Sequence, residues 1–326
     1  MSVTQYLRKA SLIVGADTGD ALDLSALRFA FAIRRGDVQT PNSADIRVYN
    51  VAQKTADRIR QILPTPEFSR VVIQAGYDGN YGVIFDGQIK QVRVGRESQL
   101  DTYLDITAAD GDSAYNFAVS VLSMPAGSTP KDGVTAILQG MAKMGVSQGY
   151  LPDLPGNPLP RGKAIFGMAR DELRKIAETT STTWSIQDGK VNFIPETSYM
   201  PGDVPVISAA TGMVGIPEQT QDGIRIKTLL NPSIKIGSAI KLDNKSLNQY
   251  RYNLANNQAV ENLKAERTNK TSADGLYYVM LADHTGDTRG NAWFTDILCL
   301  AIDATVPQSY LQKTGVNSSV GPIKRY

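Results

Sequence analysis

The feature that most constrains this chain is the stretch of residues 196–243, whose apolar residues fall into short runs separated by turn formers. Three short β-strands are predicted there. The residues that separate them are Gly212, Gly215, Pro217, Gly223, Pro232 and Gly237. Glycine permits tight turns and proline cannot donate to a sheet ladder, so these residues mark the ends of the strands. We therefore expect β-structure without a catalytic motif in this stretch.

Length and composition place the chain among folded multidomain proteins. Its 326 residues suggest two or three domains, and its 42% hydrophobic and 20% charged residues are ordinary for a folded chain. The formal net charge is only +2, from 34 Lys and Arg against 32 Asp and Glu. Such a balance does not predict a surface that coats nucleic acid.

The single cysteine, Cys299, and the single histidine, His284, exclude two common classes of site. One cysteine cannot form an intramolecular disulfide framework, and the two residues are too few for the usual zinc site. Both facts fit folding in a reducing cytoplasm. The apolar run from Leu12 to Ala16 is too short for a secretory signal, and no apolar span of about 20 residues exists. We expect a soluble protein without membrane insertion.

Residues 1–112 are predicted to form an antiparallel barrel or sandwich with one short helix. Apolar residues alternate in one strand: Leu27, Phe29, Phe31 and Ile33. Residues 52–63 have helical spacing that ends before Pro64. Three or four strands follow, with turns expected at Asp78-Gly79, Asp86-Gly87 and Gly95.

Residues 113–203 are predicted to form a small α+β domain. A helix over 129–145 begins with Thr129-Pro130 and ends at Gly145. The proline-rich residues 146–163 predict a loop, and a second helix is expected over 168–182. A β-hairpin should turn at Asp188-Gly189.

Residues 204–305 are predicted to form a second β-barrel. It is interrupted by the polar segment 244–272, which has no sustained apolar face and is predicted to be a loop or flexible arm. The C-terminal tail, 306–326, is polar and is expected to be extended or mobile. The predicted fold class is therefore mainly β, with an α+β insert between two β-domains.

The segment Gly156–Lys163 is the nearest approach to a phosphate-binding loop. It has five residues between its glycines where the motif has four, and two prolines remove backbone donors. Ala164 stands where a Ser or Thr would hold magnesium. We interpret the segment as an ordinary loop.

Two acidic segments could be drawn as metal sites, but both are better interpreted as turns. They are Asp110-Gly111-Asp112 and Asp283-His284-Thr285-Gly286-Asp287. Neither has the ligand spacing of a calcium loop, whereas Asp and Gly are common where strands end. His284 lacks a recognisable nucleophile motif such as Gly-x-Ser-x-Gly, so we interpret it as a turn histidine.

The remaining notable residues have structural interpretations. Cys299 alternates with leucines and is predicted to be a buried strand residue. Trp184 and Trp293 are interpreted as core residues, with an interface role as the alternative. Trp293, together with residues 211–232, is expected to close the second barrel. Arg34-Arg35 is too short for a nucleic-acid patch and is interpreted as a strand end. The sequence thus predicts no catalytic, cofactor-binding or metal-binding residue, and no enzymatic activity.

Four stretches in the same order resemble the baseplate hub proteins of contractile-tailed bacteriophages. They contain SADIRVYNV, GVIFDGQI with ITAADGD, TGMVGIPEQTQDGIRIKTLLNP, and HTGDTRGNAWFT, within residues 43–59, 76–116, 211–232 and 284–301. The resemblance extends from about residue 20 to residue 303. It does not include the segment 244–272 or the C-terminal tail.

The resemblance implies a structural role in the virion. It implies two tail-tube-like barrels per chain and a homotrimer whose six barrels adapt the hexameric tail tube to the trimeric central spike. The partners implied are the tail tube protein, the spike protein, other baseplate proteins and the tape measure protein. DNA would only pass through the ring, and the protein would assemble in the host cytoplasm and remain in the tail baseplate.

Three other functions are left open by the sequence. A tail-associated cell-wall hydrolase would need paired carboxylates in a cleft or a zinc triad. A tube-initiator ring protein next to the hub would share the fold. A carbohydrate- or receptor-binding protein would be expected to show exposed aromatic clusters, and only 7% of the residues are aromatic.

Overall fold

The computed structural model describes residues 7–15, 21–62, 70–196, 198–220, 223–242 and 275–302. The predicted segment 244–272 and the C-terminal tail 306–326 lie outside these residues. The described chain is mainly β with few helices, which confirms the predicted fold class. None of its helices is long and apolar enough to cross a membrane. We keep the division 1–112, 113–203 and 204–305 as a proposal, and name these parts the first unit, the insert and the second unit.

The first unit consists of seven strands and one helix. They are β1 Arg8–Gly15, β2 Ala21–Asp23, β3 Phe29–Arg34, β4 Ser43–Tyr49, α1 Gln53–Ile62, β5 Arg70–Tyr77, β6 Asn80–Arg96 and β7 Thr102–Ala109. All neighbouring pairs are antiparallel, in the order β3-β4-β7-β6-β5-β1-β2. The predicted strand forms and buries Phe29, Phe31 and Ile33, but the prediction of a single buried face is wrong, because Ala30 and Ala32 on the other face are also buried.

The insert packs two small sheets against two main helices. Its elements are α2 Asp112–Phe117, β8 Val119–Met124, α3 Pro130–Ala142, β9 Ser147–Gln148, β10 Lys163–Met168, α4 Ala169–Thr179, β11 Thr182–Gln187 and β12 Lys190–Pro195. The α3 N-terminus forms as predicted, since Thr129 and Asp132 make a capping box in front of Pro130. Asp188 and Gly189 both have positive φ in the turn between β11 and β12, as an Asp-Gly hairpin requires.

The second unit consists of six strands and a short 3-10 helix. They are β13 Val206–Ile207, the 3-10 helix Ala209–Thr211, β14 Met213–Thr220, β15 Gly223–Leu229, β16 Ala239–Leu242, β17 Leu276–Asp287 and β18 Trp293–Ala301. Strands β14, β15, β18 and β17 lie side by side, antiparallel. The first residues of β17 also pair with β16, which in turn pairs with β13 in parallel.

A single sheet joins the first and second units. The end of β17 pairs with β3, with Asp287 opposite Ala30 and His284 opposite Ile33. Because the start of β17 pairs with β16, this one strand belongs to both units. Thirteen of the described strands therefore form one sheet, whose main path ends at β14 and β2. The two predicted barrels are continuous with each other at this strand.

Buried apolar residues form separate clusters around this sheet. One cluster gathers residues 12–108 and also includes Leu230 and Trp293 from the second unit. A second cluster lies inside the insert, around Trp184 and Phe193. A third contains residues of β15 to β18, including Cys299. The chain thus has separate hydrophobic cores, and a few side chains, such as Leu230 and Trp293, pack into the core of another unit.

Some details of the sequence-based prediction are wrong. Asp86-Gly87 and Gly95 are not turns but lie inside β6, which continues for 17 residues. A Cβ atom at position 87 would lie 2.7 Å from the Phe85 ring and 2.9 Å from the Ala109 carbonyl oxygen. Glycine is therefore needed at position 87 for close packing of the sheet. In the sequence, an Asp-Gly pair inside a strand looks the same as the Asp-Gly pair of a turn. The pair β8 and β10, and the short helix α2, were not predicted at all.

Candidate functional site

The three parts of the chain meet at a buried polar junction built on Arg35. This residue follows β3, and only 4% of it is exposed. Its guanidinium donates to the Ile84 carbonyl oxygen at 2.8 Å and to the Asp188 carboxylate at 2.8 Å. Arg35 therefore joins the first unit to the hairpin turn of the insert. A buried ion pair of this kind requires both partners, because either charge alone would be desolvated without compensation.

Asp110 holds the same hairpin turn from the end of β7. Its carboxylate accepts the backbone N–H groups of Asp188 at 2.5 Å and of Gly189 at 2.8 Å. Burial raises the pKa of Asp110 to about 7, and the nearby Asp188 charge acts in the same direction. The two N–H donors and Arg35 oppose this rise. The predicted Asp110-Gly111-Asp112 turn is thus a docking point for the insert.

A second pair of side chains links the junction to the first unit. The Asn42 side-chain amide donates to the Ile186 carbonyl oxygen at 3.1 Å and to Gln187 Oε1 at 2.8 Å. The Gln187 amide donates in return to the Gly36 carbonyl oxygen at 2.9 Å. Asn42 and Gln187 are both buried. Their reciprocal bonds satisfy polar groups that would otherwise destabilise the fold.

Asp37 extends the junction into the second unit. Its carboxylate accepts the Tyr278 hydroxyl and the Thr183 hydroxyl, the latter at 3.1 Å. Burial and the Asp37 charge raise the pKa of Tyr278 well above its ordinary value, so it remains a neutral donor. Asp37 itself is completely buried. First unit, insert and second unit therefore converge on this one carboxylate.

An open cleft of about 1060 Å³ lies beside the junction. Its walls come from β5 and β6, from the insert around β9 and β12, and from residues 235 and 236 of the second unit. Arg70 and Asp86 form an ion pair on one wall. Lys235 donates to the Val83 carbonyl oxygen at 3.2 Å, and burial, together with the Arg35 charge, lowers its pKa. The cleft location between domains is common for binding sites.

Three carboxyl groups line the cleft, and each of them has partners within the chain. Asp86 is engaged by Arg70, and Asp110 and Asp188 are engaged by backbone N–H groups and Arg35. In the described ranges, no three His, Cys, Asp or Glu side chains are placed to hold a metal ion. The hydrogen bonds and the ion pair of the junction fix the relative positions of the first unit, the insert and the second unit.

His284 is not the turn residue that the sequence suggested. It lies in β17, is 1% exposed, and its Nδ1 is 2.9 Å from the Thr295 hydroxyl. Burial lowers the pKa of His284 to about 3, and the charges of Arg35 and Lys235 act in the same direction. The turn begins only at Asp287, which accepts the N–H groups of Arg289 and Gly290. His284 is therefore a neutral core residue.

The other candidate residues occupy structural positions. Cys299 is fully buried in β18, and burial raises the pKa of its thiol above the ordinary value. Trp184 is buried in the insert. Residues 156–162 form a loop that leads into strand β10 rather than a helix, so they lack the helix N-terminus that a phosphate site needs. Arg34 pairs with Asp45 at 3.1 Å.

Trp293 is buried as predicted but belongs to a different core. It is 1% exposed and makes an edge contact with the Phe31 ring, with centroids 5.6 Å apart. The Arg8 guanidinium lies 5.5 Å from its ring centroid. We predicted that it closes the second barrel. That was wrong, because the β17–β3 pairing brings the start of β18 over the first unit's core.

Two exposed apolar surfaces were missed by the sequence analysis. The first, which we call the insert patch, consists of Phe117, Val119, Val121 and Phe166. The second lies on the edge strand β14 and consists of Val214 and Ile216. Alternation in VSVLSM and KAIFGM could have predicted two faces, but the sequence does not show which face is covered. Exposed apolar clusters are typical of protein–protein contacts.

The fold is shared with tail proteins of phages and prophages. The 43 kDa tail protein of prophage MuSo2 from Shewanella oneidensis superimposes with a TM-score of 0.54 and 8% identity, over 91% of this chain and 98% of that chain. A tail protein from Neisseria meningitidis MC58 gives a TM-score of 0.55 and 11% identity, over 90% and 96%. A PdpA-VgrG complex matches with a TM-score of 0.52 and 7% identity, over 93% of this chain and 66% of that one. No curated protein sequence matches the chain.

These structural similarities show that the chain has a fold found in tail proteins. The particular family follows from the sequence, because the model of the family "Baseplate hub gp41" matches residues 27–258. The chain belongs to this baseplate hub family, which confirms the resemblance found in the sequence. It is a structural component of the phage tail baseplate.

Proposed function

We propose that this protein is the hub that adapts the hexameric tail tube to the trimeric central spike, and that it lines part of the DNA conduit. The observation that carries the proposal is the sharing of β17 by two β-units within one chain of the hub family. A homotrimer of such chains presents six β-units to the tube and three insert domains elsewhere. One chain then reconciles sixfold with threefold symmetry.

The ends of the sheet support assembly into a ring. In the described part of the chain, β2 and β14 end the main hydrogen-bonded path, so each has one side without a neighbouring strand. Unpaired strand edges are unfavourable and readily pair with another chain. Because β2 and β14 are different surfaces, contacts between copies would run head to tail, and such contacts form a closed ring where the rotation between copies closes.

The buried junction supports a role in which the three parts of the chain must keep fixed relative positions. Arg35, Asp37 and Asp110 connect the three parts through hydrogen bonds from buried groups. Such networks favour one arrangement because partial rupture leaves polar groups unsatisfied. An adaptor between two partners of different symmetry needs this rigidity. A flexible link between the units would serve it poorly.

The charge of the chain supports a conduit rather than a DNA-binding protein. The net charge is +2, and many charged side chains are paired within the chain, including Arg28 with Asp287 and Arg47 with Asp105. DNA affinity depends on unpaired basic groups that neutralise phosphates. A nearly neutral wall lets the genome pass without adhering. We propose tube, spike and tape measure proteins as partners, and assembly in the host cytoplasm.

The hydrolase alternative has less support in the structure. The cleft beside the junction holds its carboxylates in ion pairs and backbone hydrogen bonds. A carbohydrate-binding role also has less support, because both tryptophans are buried. We therefore propose that the protein is not an enzyme and has no catalytic, cofactor or metal residue. A tube-initiator ring differs from the hub mainly in copy number.

The decisive experiment is the copy number of this chain in isolated tails. Native mass spectrometry of the complex released from the tube should give three copies, bound to both the tube protein and the spike protein. The tube ring in the same sample, with six copies, is the internal control. Six copies of this chain would instead identify a tube-initiator ring, and peptidoglycan turnover by the purified protein would identify a hydrolase.

A further inference from the structure

The insert patch is a continuous apolar face on a two-stranded sheet. Phe166 in β10 lies directly opposite Val121 in β8, and Val119 lies two residues along the same face. Phe166 is 80% exposed, Val121 71% and Phe117 65%. The opposite face of these strands is covered, since Met124 and Ile165 are buried. Phe166 therefore projects from the insert as an apolar knob.

The second apolar surface is a groove beside the edge strand β14. The groove has a volume of about 330 Å³. Its walls combine apolar and charged residues: Val214, Ile216, Leu281 and Leu298 with Glu218, Arg225, Lys227 and Asp296. Ile216 is 63% exposed. The ladder between β14 and β15 shifts between Val214 and Glu218, and this bulge opens the groove at the edge of the sheet.

The sizes of the two surfaces favour one shared contact over two separate partners. An aromatic side chain presents about 150–250 Å², so the two exposed Phe rings contribute roughly 300 Å². A stable independent complex needs about 800 Å² from each partner. The insert patch is therefore too small to hold a partner alone, but suits one contact among several between copies.

The charges beside the two surfaces allow one ion pair between copies. In the groove, Lys227 and Asp296 already pair at 3.6 Å, and Glu218 lies opposite Arg225 in the β14–β15 ladder. Lys163 lies in β10 three residues before Phe166, and Glu218 lies in β14 two residues after Ile216. Both residues are exposed. Within the ranges that the structure describes, neither has an ion-pair partner. A Lys163–Glu218 pair would match when the knob of one copy meets the groove of another.

We infer that the insert patch of one copy packs into the β14 groove of the next copy, with Phe166 as the knob and a second copy of this chain as the occupant. The contact is head to tail because it joins two different surfaces, and such a contact closes a ring when the rotation between copies is a whole fraction of a turn, as in the proposed trimer. The inference rests on the proposed homotrimer and identifies the surfaces that form it. A contact between two insert patches would leave the groove exposed.

Cysteine cross-linking in assembled tails tests this contact. Cys299 is buried, so new surface thiols can be addressed separately. In the double variant Phe166→Cys with Ile216→Cys, oxidation should give covalent dimers and trimers of this chain. The single variants Phe166→Cys and Ile216→Cys are the matched controls and should give none. Dimers from Phe166→Cys alone would show a contact between two insert patches and overturn the inference.

Other outcomes separate this inference from the proposed function. Three copies by mass, with no cross-link in the double variant, would overturn the contact and leave the trimer intact. A ladder that continues to six copies would support the contact and overturn the trimer. Lys163→Glu should weaken ring association by up to about fivefold, the scale of a surface ion pair. Adding Glu218→Lys should restore it, and a failure of that rescue would contradict the pairing.

Discussion

At the residue scale, Asp110 makes folding stability sensitive to pH in an unusual direction. Its pKa is raised from 3.8 to about 7 in the folded state. At a pH between these two pKa values, Asp110 is protonated in the folded chain and ionised in the unfolded chain. The contribution of Asp110 to the free energy of unfolding is therefore largest at low pH, and it is lost as the pH rises through about 7. The loss has an upper bound of about 4 kcal/mol.

This predicts a clear difference between Asp110→Asn and the natural chain. Urea unfolding of the natural protein should show a contribution that decreases from pH 5 to pH 8. The variant should lack that decrease, because an amide does not ionise. It should also be less stable overall, because its single oxygen can accept only one of the two N–H groups of Asp188 and Gly189. Asp203→Asn, at an exposed position, is the control. An unchanged pH dependence in Asp110→Asn would show that the carboxyl is ionised throughout this range.

Trp293 carries a second prediction at the residue scale. Removing a buried aromatic side chain typically destabilises a protein by about 3–5 kcal/mol. Trp293→Ala should therefore destabilise the first unit's core, where the ring contacts Phe31. Trp293→Phe should retain much of the packing and lose less. The free energy of unfolding measures both.

The consequence of this loss should be failure of folding rather than of one partner contact. A loss of 3–5 kcal/mol approaches the stability of a marginal domain. Tail assembly should then fail altogether in Trp293→Ala. A folded variant that forms rings but cannot bind the tube or the spike would show that Trp293 is an interface anchor instead.

Local sequence patterns predict which residues are buried better than they predict which residues contact each other. The interpretation of Arg34-Arg35 as a strand end is confirmed, because β3 ends at Arg34. Arg35 also continues the alternation of Leu27, Phe29, Phe31 and Ile33. That phase places its side chain on the buried face. Its partner Asp188 is 153 residues away, and no local pattern indicates such a pair. The junction therefore could not be predicted from the sequence.

At the element scale, strand β17 makes the two β-units depend on each other. Its first residues pair with β16, its last residues pair with β3, and β18 pairs along its length. The sequence predicted β17 and β18 as two strands around a turn. It did not predict the pairing with β3, because hairpin signals are local and this contact joins residues about 250 positions apart.

Coupling through β17 predicts that both units lose protection together. Ala282→Pro removes the hydrogen bond from the Ala282 N–H to the Arg35 carbonyl oxygen, which is 3.0 Å long. Hydrogen exchange should then increase in β4 of the first unit and in β15 of the second. Ala282→Ser keeps the backbone donor and is the control. Faster exchange in only one of the two strands would contradict the coupling.

At the scale of the whole molecule, composition predicted the class of protein well and its surfaces poorly. Glycine, proline and β-branched residues favoured many short strands, and the structure confirms this. The exposed positions of Phe117 and Phe166 were not predicted, because apolar alternation does not show whether a face is covered by the same chain or by a neighbour. The surfaces of an assembly protein are therefore the least predictable part.

The charge balance of the whole molecule predicts weak interaction with DNA. With a net charge of +2 and most buried or half-buried cations already paired, a hub trimer should not retain duplex DNA at physiological salt. Filter binding of the purified hub to linear duplex DNA at about 50 and 200 mM salt would measure this. Arg47→Gln with Asp105→Asn, which removes one cation and one anion, should behave like the natural chain. Removing only the anion, by Asp105→Asn, should increase retention slightly at low salt. Micromolar affinity of the natural hub with a steep salt dependence would show that the conduit wall binds the genome.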